Sequence, residues 1–318
     1  MVRVIVDQDI TPTSRLTNQL PDSWNVVEGI DIGDQELRDT VKTTDIAFVT
    51  SRVPFSRPII EAAPELDVIG KLGTGIDSID LEAARENGVT VTHTPGHNAL
   101  SVAEHTLGLI LATLRRLTEA RNLIKDGNWR DEYSLGTRLS GSTVGIVGLG
   151  NIGKRVGSLL SGFDVEILAH DPYIHDIDTE LVGGDRVSLE TLLEQSDVVV
   201  LTAELTDETR GLIGKEELAQ MKSSAVLINT ARGPIIEENA LLDALRAGSI
   251  GGAGLDVFSE EPLAEDAALL EFENVVVTPH ISAMTLESRQ EGIDRLATNV
   301  SLLRDGKPVP DRYIAVDP

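Results

Sequence analysis

The residues best placed to do chemistry in this chain sit just beyond its apolar runs. Gly148-Leu149-Gly150-Asn151-Ile152-Gly153 follows Thr143–Val147 directly, a helical pattern (Val156, Leu159, Leu160) comes next, and Asp171 closes a second apolar run, Val165–Leu168. A G-x-G-x-x-G between strand and helix, with an acid about 20 residues on, is the pattern of a dinucleotide site. Gly148 allows the tight turn, Gly150 lets backbone approach a pyrophosphate, and Gly153 lets helix and strand pack closely. The phosphates are expected on free N–H groups at the positive end of the helix. Asp171 is expected to accept hydrogen bonds from ribose hydroxyls. Its charge repels a 2′-phosphate and Pro172-Tyr173 bring no arginine, so NAD is favoured over NADP.

Three further segments end on reactive side chains. Ala225–Ile228 leads into Asn229-Thr230-Ala231-Arg232-Gly233, Leu255 into Asp256-Val257-Phe258-Ser259-Glu260-Glu261-Pro262, and Val277 into Thr278-Pro279-His280. Ligands of open parallel sheets bind beyond the carboxyl ends of the strands, so an arginine, two or three acids and a histidine converge on one edge. Hydride transfer coupled to proton transfer fits that set. A histidine exchanges protons near neutral pH, and a neighbouring carboxylate orients the ring and favours imidazolium. An arginine grips a carboxylate through paired hydrogen bonds. Of the other histidines, His105 is expected to pack on its helix and His170 merely precedes the ribose acid. His97, in a loop between domains, is the one other worth testing.

These residues need a scaffold, and the chain supplies one. Strand runs at Val2–Val6, Asn25–Val27, Ile46–Val49, Val68–Ile69 and Val89–Val91 alternate with helical patterns at Arg15–Leu20, Gln35–Val41, Pro58–Ala63 and Leu81–Asn87. A second series, Thr143–Val147, Val165–Leu168, Asp197–Leu201, Ala225–Ile228, Gly254–Leu255 and Val275–Val277, alternates with helical stretches that include Leu189–Gln195, Lys215–Met221, Asn239–Arg246 and Asp266–Leu270. Alternation of this kind argues for an α/β chain of two doubly wound parallel-sheet domains. A long helix is expected from Ser101, as N-cap with Glu104 in a capping box, to about Lys125. A final helix, Leu286–Leu303, is expected to return to the first domain. The expected division is 1–98 plus 286–318, discontinuous, and 99–285.

At 318 residues, with 41% hydrophobic and 3% aromatic content, both domains bury cores of Val, Ile, Leu and Ala. No apolar run approaches the roughly 20 residues that span a bilayer. With no basic-then-apolar leader before the first strand, a soluble cytoplasmic protein is expected. The absence of cysteine excludes disulfides and thiolate chemistry, and no metal site is expected. Acids outnumber bases 52 to 27, a net charge of −25, with lysine scarce. Such a surface repels nucleic acid and anionic membranes, and suits a halophilic, salt-rich cytoplasm.

Together these motifs, in order and over nearly the whole chain, resemble the D-isomer-specific 2-hydroxyacid dehydrogenases. The matches are Gly148–Gly153 with Asp171, Asn229–Gly233, Gly254-Leu255-Asp256-Val257 running to Glu261-Pro262, and Thr278-Pro279-His280. The resemblance implies a Rossmann NAD-binding domain and a flavodoxin-like substrate domain that close over the cofactor, and a homodimer through the cofactor domain. It also implies Arg232 as binder of the substrate carboxylate, His280 as acid/base and Glu261 as its partner, with Asp256 bonded to the nicotinamide carboxamide. Thr74, Asn151, Ile152, Ala203, Thr230 and Ala231 are the further cofactor contacts it implies. Lys71-Leu72-Gly73-Thr74-Gly75 is similar to the family's glycine loop, whose backbone N–H groups would bind the substrate carboxylate; Leu72, Gly73 and Asn98, the last in the interdomain crossing, are the substrate contacts it implies beside Arg232.

The expected activity is reversible reduction of a small 2-oxo acid to the D-2-hydroxy acid. Glutamate at 261, where formate-dehydrogenase relatives carry glutamine, argues against formate oxidation. Thr50 and Lys71 stand where phosphoglycerate dehydrogenases have arginine. With Arg52 close by, 3-phosphoglycerate oxidation is the alternative, and Ala203-Glu204 also departs from the family pattern. A non-catalytic alternative on the same fold is an NAD-sensing regulatory protein.

Overall fold

In the computed structural model, which describes residues 1–30 and 33–318, the chain divides into two compact units. One comprises Met1–Asn98 with Met284–Pro318, the other Ala99–Ala283.

The first unit carries strands β1 (Arg3–Val6), β2 (Asn25–Glu28), β3 (Ile46–Val49), β4 (Val68–Lys71) and β5 (Thr90–His93), all mutually parallel. The sheet order is β5-β4-β3-β1-β2, and a C-terminal strand, Ile314–Val316, adds antiparallel outside β5. Side chains alternate between faces, so Val4, Val6, Ile46 and Phe48 enter one apolar layer while Ile5, Ala47 and Val49 enter the other. Helix Leu286–Arg304 covers the first face through Ile293, Leu296, Ala297 and Val300. Gly70 makes this possible, since a Cβ there would stand 3.2 Å from both Phe48 and Val300. Beneath it, Asn299 donates to the buried Thr92 hydroxyl, which donates to the Tyr313 carbonyl. Gly88 takes φ +74 directly after helix Leu81–Glu86, as a C-terminal glycine should.

The second unit carries β6 (Thr143–Val147), β7 (Glu166–His170), β8 (Asp185–Arg186), β9 (Val198–Leu201), β10 (Val226–Asn229), β11 (Gly252–Leu255) and β12 (Val275–Val277). Their order is β12-β11-β10-β9-β6-β7-β8 and every pairing is parallel. The winding reverses at β6, the switch point where such sheets bind ligands. Val144, Ile146, Val198 and Val200 face one layer with helix Ala99–Leu114, while Val147, Val199 and Leu201 face the other. The chain is α/β with two doubly wound sheets, one Rossmann-like and one flavodoxin-like.

The long helix differs from expectation at both ends. It starts at Ala99, which places Ser101 inside its first turn rather than at the cap. It stops at Leu114 and resumes as Leu117–Lys125 after Arg116, which has φ +48. The break has a local cause: Thr137 N–H and the Tyr133 hydroxyl donate to the carbonyls of Leu114 and Arg115, and Gly136 lies against Leu114. Those carbonyls would otherwise have continued the helix. Asp266–Leu270 is likewise shorter than expected, a 3-10 turn over Ala268–Glu271.

Candidate active site

The glycine loop is held open by its neighbours. Gly148 takes φ +90, and a Cβ there would lie 2.5 Å from the backbone of Ala203. A Cβ on Gly153 would lie 2.3 Å from the Gly148 carbonyl, which itself accepts from the Thr202 hydroxyl at 2.6 Å. At Gly150 a Cβ would meet nothing within 4 Å. Two glycines therefore serve internal packing and the third faces open space. Helix Asn151–Leu160 begins there with no side-chain cap, so the amides of its first turn, Asn151 and Ile152 included, remain to satisfy an anion. Asp171, just past β7, accepts from the amides of Leu149 and Tyr173, each at 2.9 Å. Its carboxylate keeps acceptor capacity for a pair of hydroxyls. Arg186, on the edge strand β8, reaches the Pro172 carbonyl at 3.5 Å but pairs with Asp176. The donor set fits a dinucleotide with a free ribose.

Parallel pairing carries the chain ends of β10, β11 and β12 side by side. The ladder continues past the strands: Asp256 N–H donates to Asn229 O, Thr278 N–H to Leu255 O, and His280 N–H to Asp256 O. After β10, the buried Asn229 side chain accepts from Ala231 N–H and donates to the Arg232 carbonyl, which shapes the turn that presents Arg232. Thr230 is buried and shares a hydrogen bond with Thr106. Gly233 then packs so closely that a Cβ would lie 1.9 Å from the Phe258 carbonyl carbon. That contact brings the Arg232 turn against the loop bearing Glu261.

Glu261 is anchored by Phe258 N–H on one oxygen and meets His280 Nδ1 on the other at 2.7 Å. Burial works to raise the Glu261 carboxyl. The hydrogen bond and charge of His280, the Phe258 amide and the charge of Arg232 outweigh it, so the group stays below the usual carboxylate range. An ionised carboxylate only accepts, so His280 donates from Nδ1 and keeps Nε2 for proton exchange. His280 itself has φ +53, a left-handed conformation rare for a residue with a Cβ. Glu260 has no part in this arrangement.

Asp256, expected to meet the nicotinamide carboxamide, is wholly buried and bonded within the protein. Burial pushes its carboxyl up, but bonds from His105, the Thr278 hydroxyl, Ile281 N–H and the Ser282 residue bring it down to about 2. The loop 278–282 is wrapped around this one carboxylate. His105 was expected to do no more than pack. It instead meets Thr278 Oγ1 at 3.0 Å and lies 3.5 Å from Asp256 Oδ1. The available signal was the polar run Glu104-His105-Thr106 on a mostly apolar helix.

In the other unit the glycine loop after β4 is knit to the segment after β5. The amide of Leu72 donates to Val49 O and that of Gly73 to Thr94 Oγ1. Those of Thr74 and Gly75, in the same loop, have no hydrogen bond among the described residues. The Thr74 hydroxyl donates to Asn98 and accepts from Gly96 N–H. Arg52 is committed to the buried carboxylate of Asp7 and to Ile30 O. His97 accommodates itself against Gly292 and Leu72, and burial, partly offset by a Thr94 carbonyl bond, lowers its pKa. That is a packing role.

A strand-edge dinucleotide cradle beside an arginine and a carboxylate-bound histidine defines an NAD-dependent oxidoreductase. Residues 107–282 match the profile of the D-isomer specific 2-hydroxyacid dehydrogenase NAD-binding domain. A glyoxylate reductase of Thermofilum pendens is 41% identical over 87% of this chain and 83% of its own length. A D-3-phosphoglycerate dehydrogenase of Archaeoglobus fulgidus is 37% identical over 86% of this chain, which spans 52% of that relative. Among solved structures, the D-lactate dehydrogenase of Aquifex aeolicus, complexed with NAD and lactic acid, superposes with a TM-score of 0.86 at 28% identity, covering 99% of each chain. The chain belongs to the D-isomer specific 2-hydroxyacid dehydrogenase family.

Proposed function

We propose that this enzyme reversibly reduces a small, unphosphorylated 2-oxo acid to the D-2-hydroxy acid, with NAD as cofactor. The observation that carries the reading is the 2.7 Å bond between His280 Nδ1 and Glu261, with Arg232 close enough for its charge to act on the same carboxylate. NAD, when bound, supplies or takes up the hydride. His280 then delivers the proton from Nε2 to the carbonyl oxygen as it becomes an alcohol, and Glu261 stabilises the imidazolium that this step requires. Arg232 binds the carboxylate and polarises the adjacent carbonyl. Gly148, Gly150, Asn151, Ile152 and Gly153 hold the pyrophosphate, Asp171 the ribose, and Ala203, Thr230, Ala231 and Asp256 complete the cofactor contacts.

One observation bears on substrate size. Arg52 is spent on Asp7 rather than presented to a phosphate. The phosphoglycerate relatives keep 3-phosphoglycerate oxidation as the second reading.

NADH oxidation in molar KCl against glyoxylate, pyruvate, hydroxypyruvate, 2-oxobutyrate and phosphohydroxypyruvate separates the two. Turnover confined to phosphohydroxypyruvate would replace the first reading with the second. His280→Gln should lower kcat about 10²–10⁴-fold with NADH binding intact. Arg232→Ala should cost about 2–3 kcal/mol in kcat/KM, chiefly through substrate. An equal loss of cofactor affinity would assign Arg232 to the pyrophosphate instead.

The remaining expectations are proposals of the same kind: a cytoplasmic protein, a domain boundary at 285/286, and a homodimer through the cofactor unit. No helix among the described residues is long and apolar enough to cross a membrane. Leu117, Ile124, Trp129 and Leu135 are exposed in one stretch of the cofactor unit, which supports pairing there. Light scattering of wild type and Trp129→Glu would show a dimer and its weakening.

A further inference from the structure

The turn that carries His280 is joined by hydrogen bonds to a helix distant in the sequence. His280 holds a left-handed conformation, which is uncommon for any residue with a Cβ. What imposes it is the wrapping of residues 278–282 around Asp256. The Asp256 carbonyl accepts from His280 N–H at 2.8 Å, Oδ1 from Ile281 N–H at 2.9 Å, and Oδ2 from Ser282 N–H at 2.9 Å. Oδ1 also accepts from the Thr278 hydroxyl at 2.6 Å.

That last bond fixes a direction. A buried, ionised carboxylate offers no hydrogen, so the Thr278 hydrogen points at Asp256. Thr278 Oγ1 can then only accept from His105 Nε2, 3.0 Å away. His105 must carry its hydrogen on Nε2, and the same N–H leans toward Asp256 Oδ1 at 3.5 Å. The chain of donors runs one way, from helix Ala99–Leu114 through Thr278 into the carboxylate that grips the His280 turn.

We propose that His105 is a positioning residue for His280, acting in its Nε2–H form through Thr278 and Asp256. The inference rests on His280 being the acid/base group. Removing the His105 donor leaves Thr278 free to turn its hydroxyl away, which loosens one of the bonds that fix the loop. Apart from Asp256, whose backbone and carboxylate bonds to residues 280–282 remain, the substrate and dinucleotide contacts lie on other residues, so the loss should fall mainly on kcat.

Four variants and a set of spectra test this. His105→Leu should lower kcat about tenfold, the equivalent of one hydrogen bond to a charged group, with the oxo-acid KM and the NADH Kd changed less than about twofold. His105→Gln places an amide N–H at the same reach and should recover kcat to within about threefold of wild type. Adding His105→Leu to Thr278→Val should cost nothing beyond Thr278→Val alone, because the path is already cut. A wild-type kcat in His105→Leu, additive losses in the double variant, or no recovery in His105→Gln would overturn the proposal.

Nitrogen-15 spectra of the histidine rings read the same network without turnover. His105 should show a protonated Nε2, and the His280 resonances, assigned through His280→Gln, should move in His105→Leu and return in His105→Gln. A His105 hydrogen on Nδ1, or unmoved His280 signals, would overturn it. A wild-type enzyme that reduces no oxo acid but shows these spectra would instead sink the proposed reaction.

Discussion

Asp256 illustrates how a buried charge is retained by a protein and what it then costs to remove. Its carboxyl sits near 2, below the roughly 3.9 of an unfolded aspartate, because donors outweigh burial. A carboxylate depressed in this way contributes stability above the unfolded value and loses it as pH falls through the folded one. About 2 kcal/mol should therefore disappear between roughly pH 4 and pH 2. Asp256→Asn should flatten that limb in urea unfolding followed against pH. An unchanged acid limb would mean that other carboxylates control it. The glycine fingerprint, Asp171, Arg232, Glu261 and His280 were legible because each lies at a strand end within a short local pattern. His105 was not, since its partner Thr278 is 173 positions away and only the packing of helix on sheet brings them together. Which amides of the Lys71–Gly75 loop are already engaged was not legible either, because it depends on Val49 and Thr94, which no local pattern shows.

Turns between strands and helices carry the chemistry, and their mutual contacts keep it in register. The approach of Gly233 to Phe258 is the tightest of these, with no room for a methyl group. Gly233→Ala should separate the Arg232 turn from the Glu261 loop, lowering stability by about 1–3 kcal/mol and activity by more than the unfolded fraction explains. Urea titration beside turnover distinguishes the two effects. If activity tracks only the folded fraction, the contact serves stability alone. Most strands were readable from apolar runs because parallel strands buried on both faces leave continuous Val and Ile stretches. The two-residue β8, Asp185-Arg186, has no such run, and the three-residue C-terminal strand Ile314–Val316 pairs antiparallel, outside the alternating series. The break at Arg116 escaped notice because its cause, the Tyr133–Thr137 segment, supplies backbone contacts rather than a helix-breaking residue.

An excess of acids at this level sets the behaviour of the molecule in salt. With a net charge of −25, like charges on a compact body repel, and added ions screen them over a Debye length of about 10 Å at 0.1 M and about 3 Å at 1 M. Tm should rise from low salt to molar KCl, and thermal melts at several KCl concentrations would show it. A flat or falling Tm would refute a halophilic design. The discontinuity of the first unit was legible in outline from the final helix pattern. Its seal, the strand Ile314–Val316 against β5 with Asn299 and Tyr313 bonded to Thr92, was not. That seal implies an order of assembly during synthesis. The contiguous NAD-binding unit possesses every strand of its sheet once residue 283 has left the ribosome, whereas the five strands made before it must wait, one face uncovered and one edge unpaired, for residues 286–316 to be translated. A pause late in translation would thus leave the oldest part of the chain as the part exposed to proteases and chaperones.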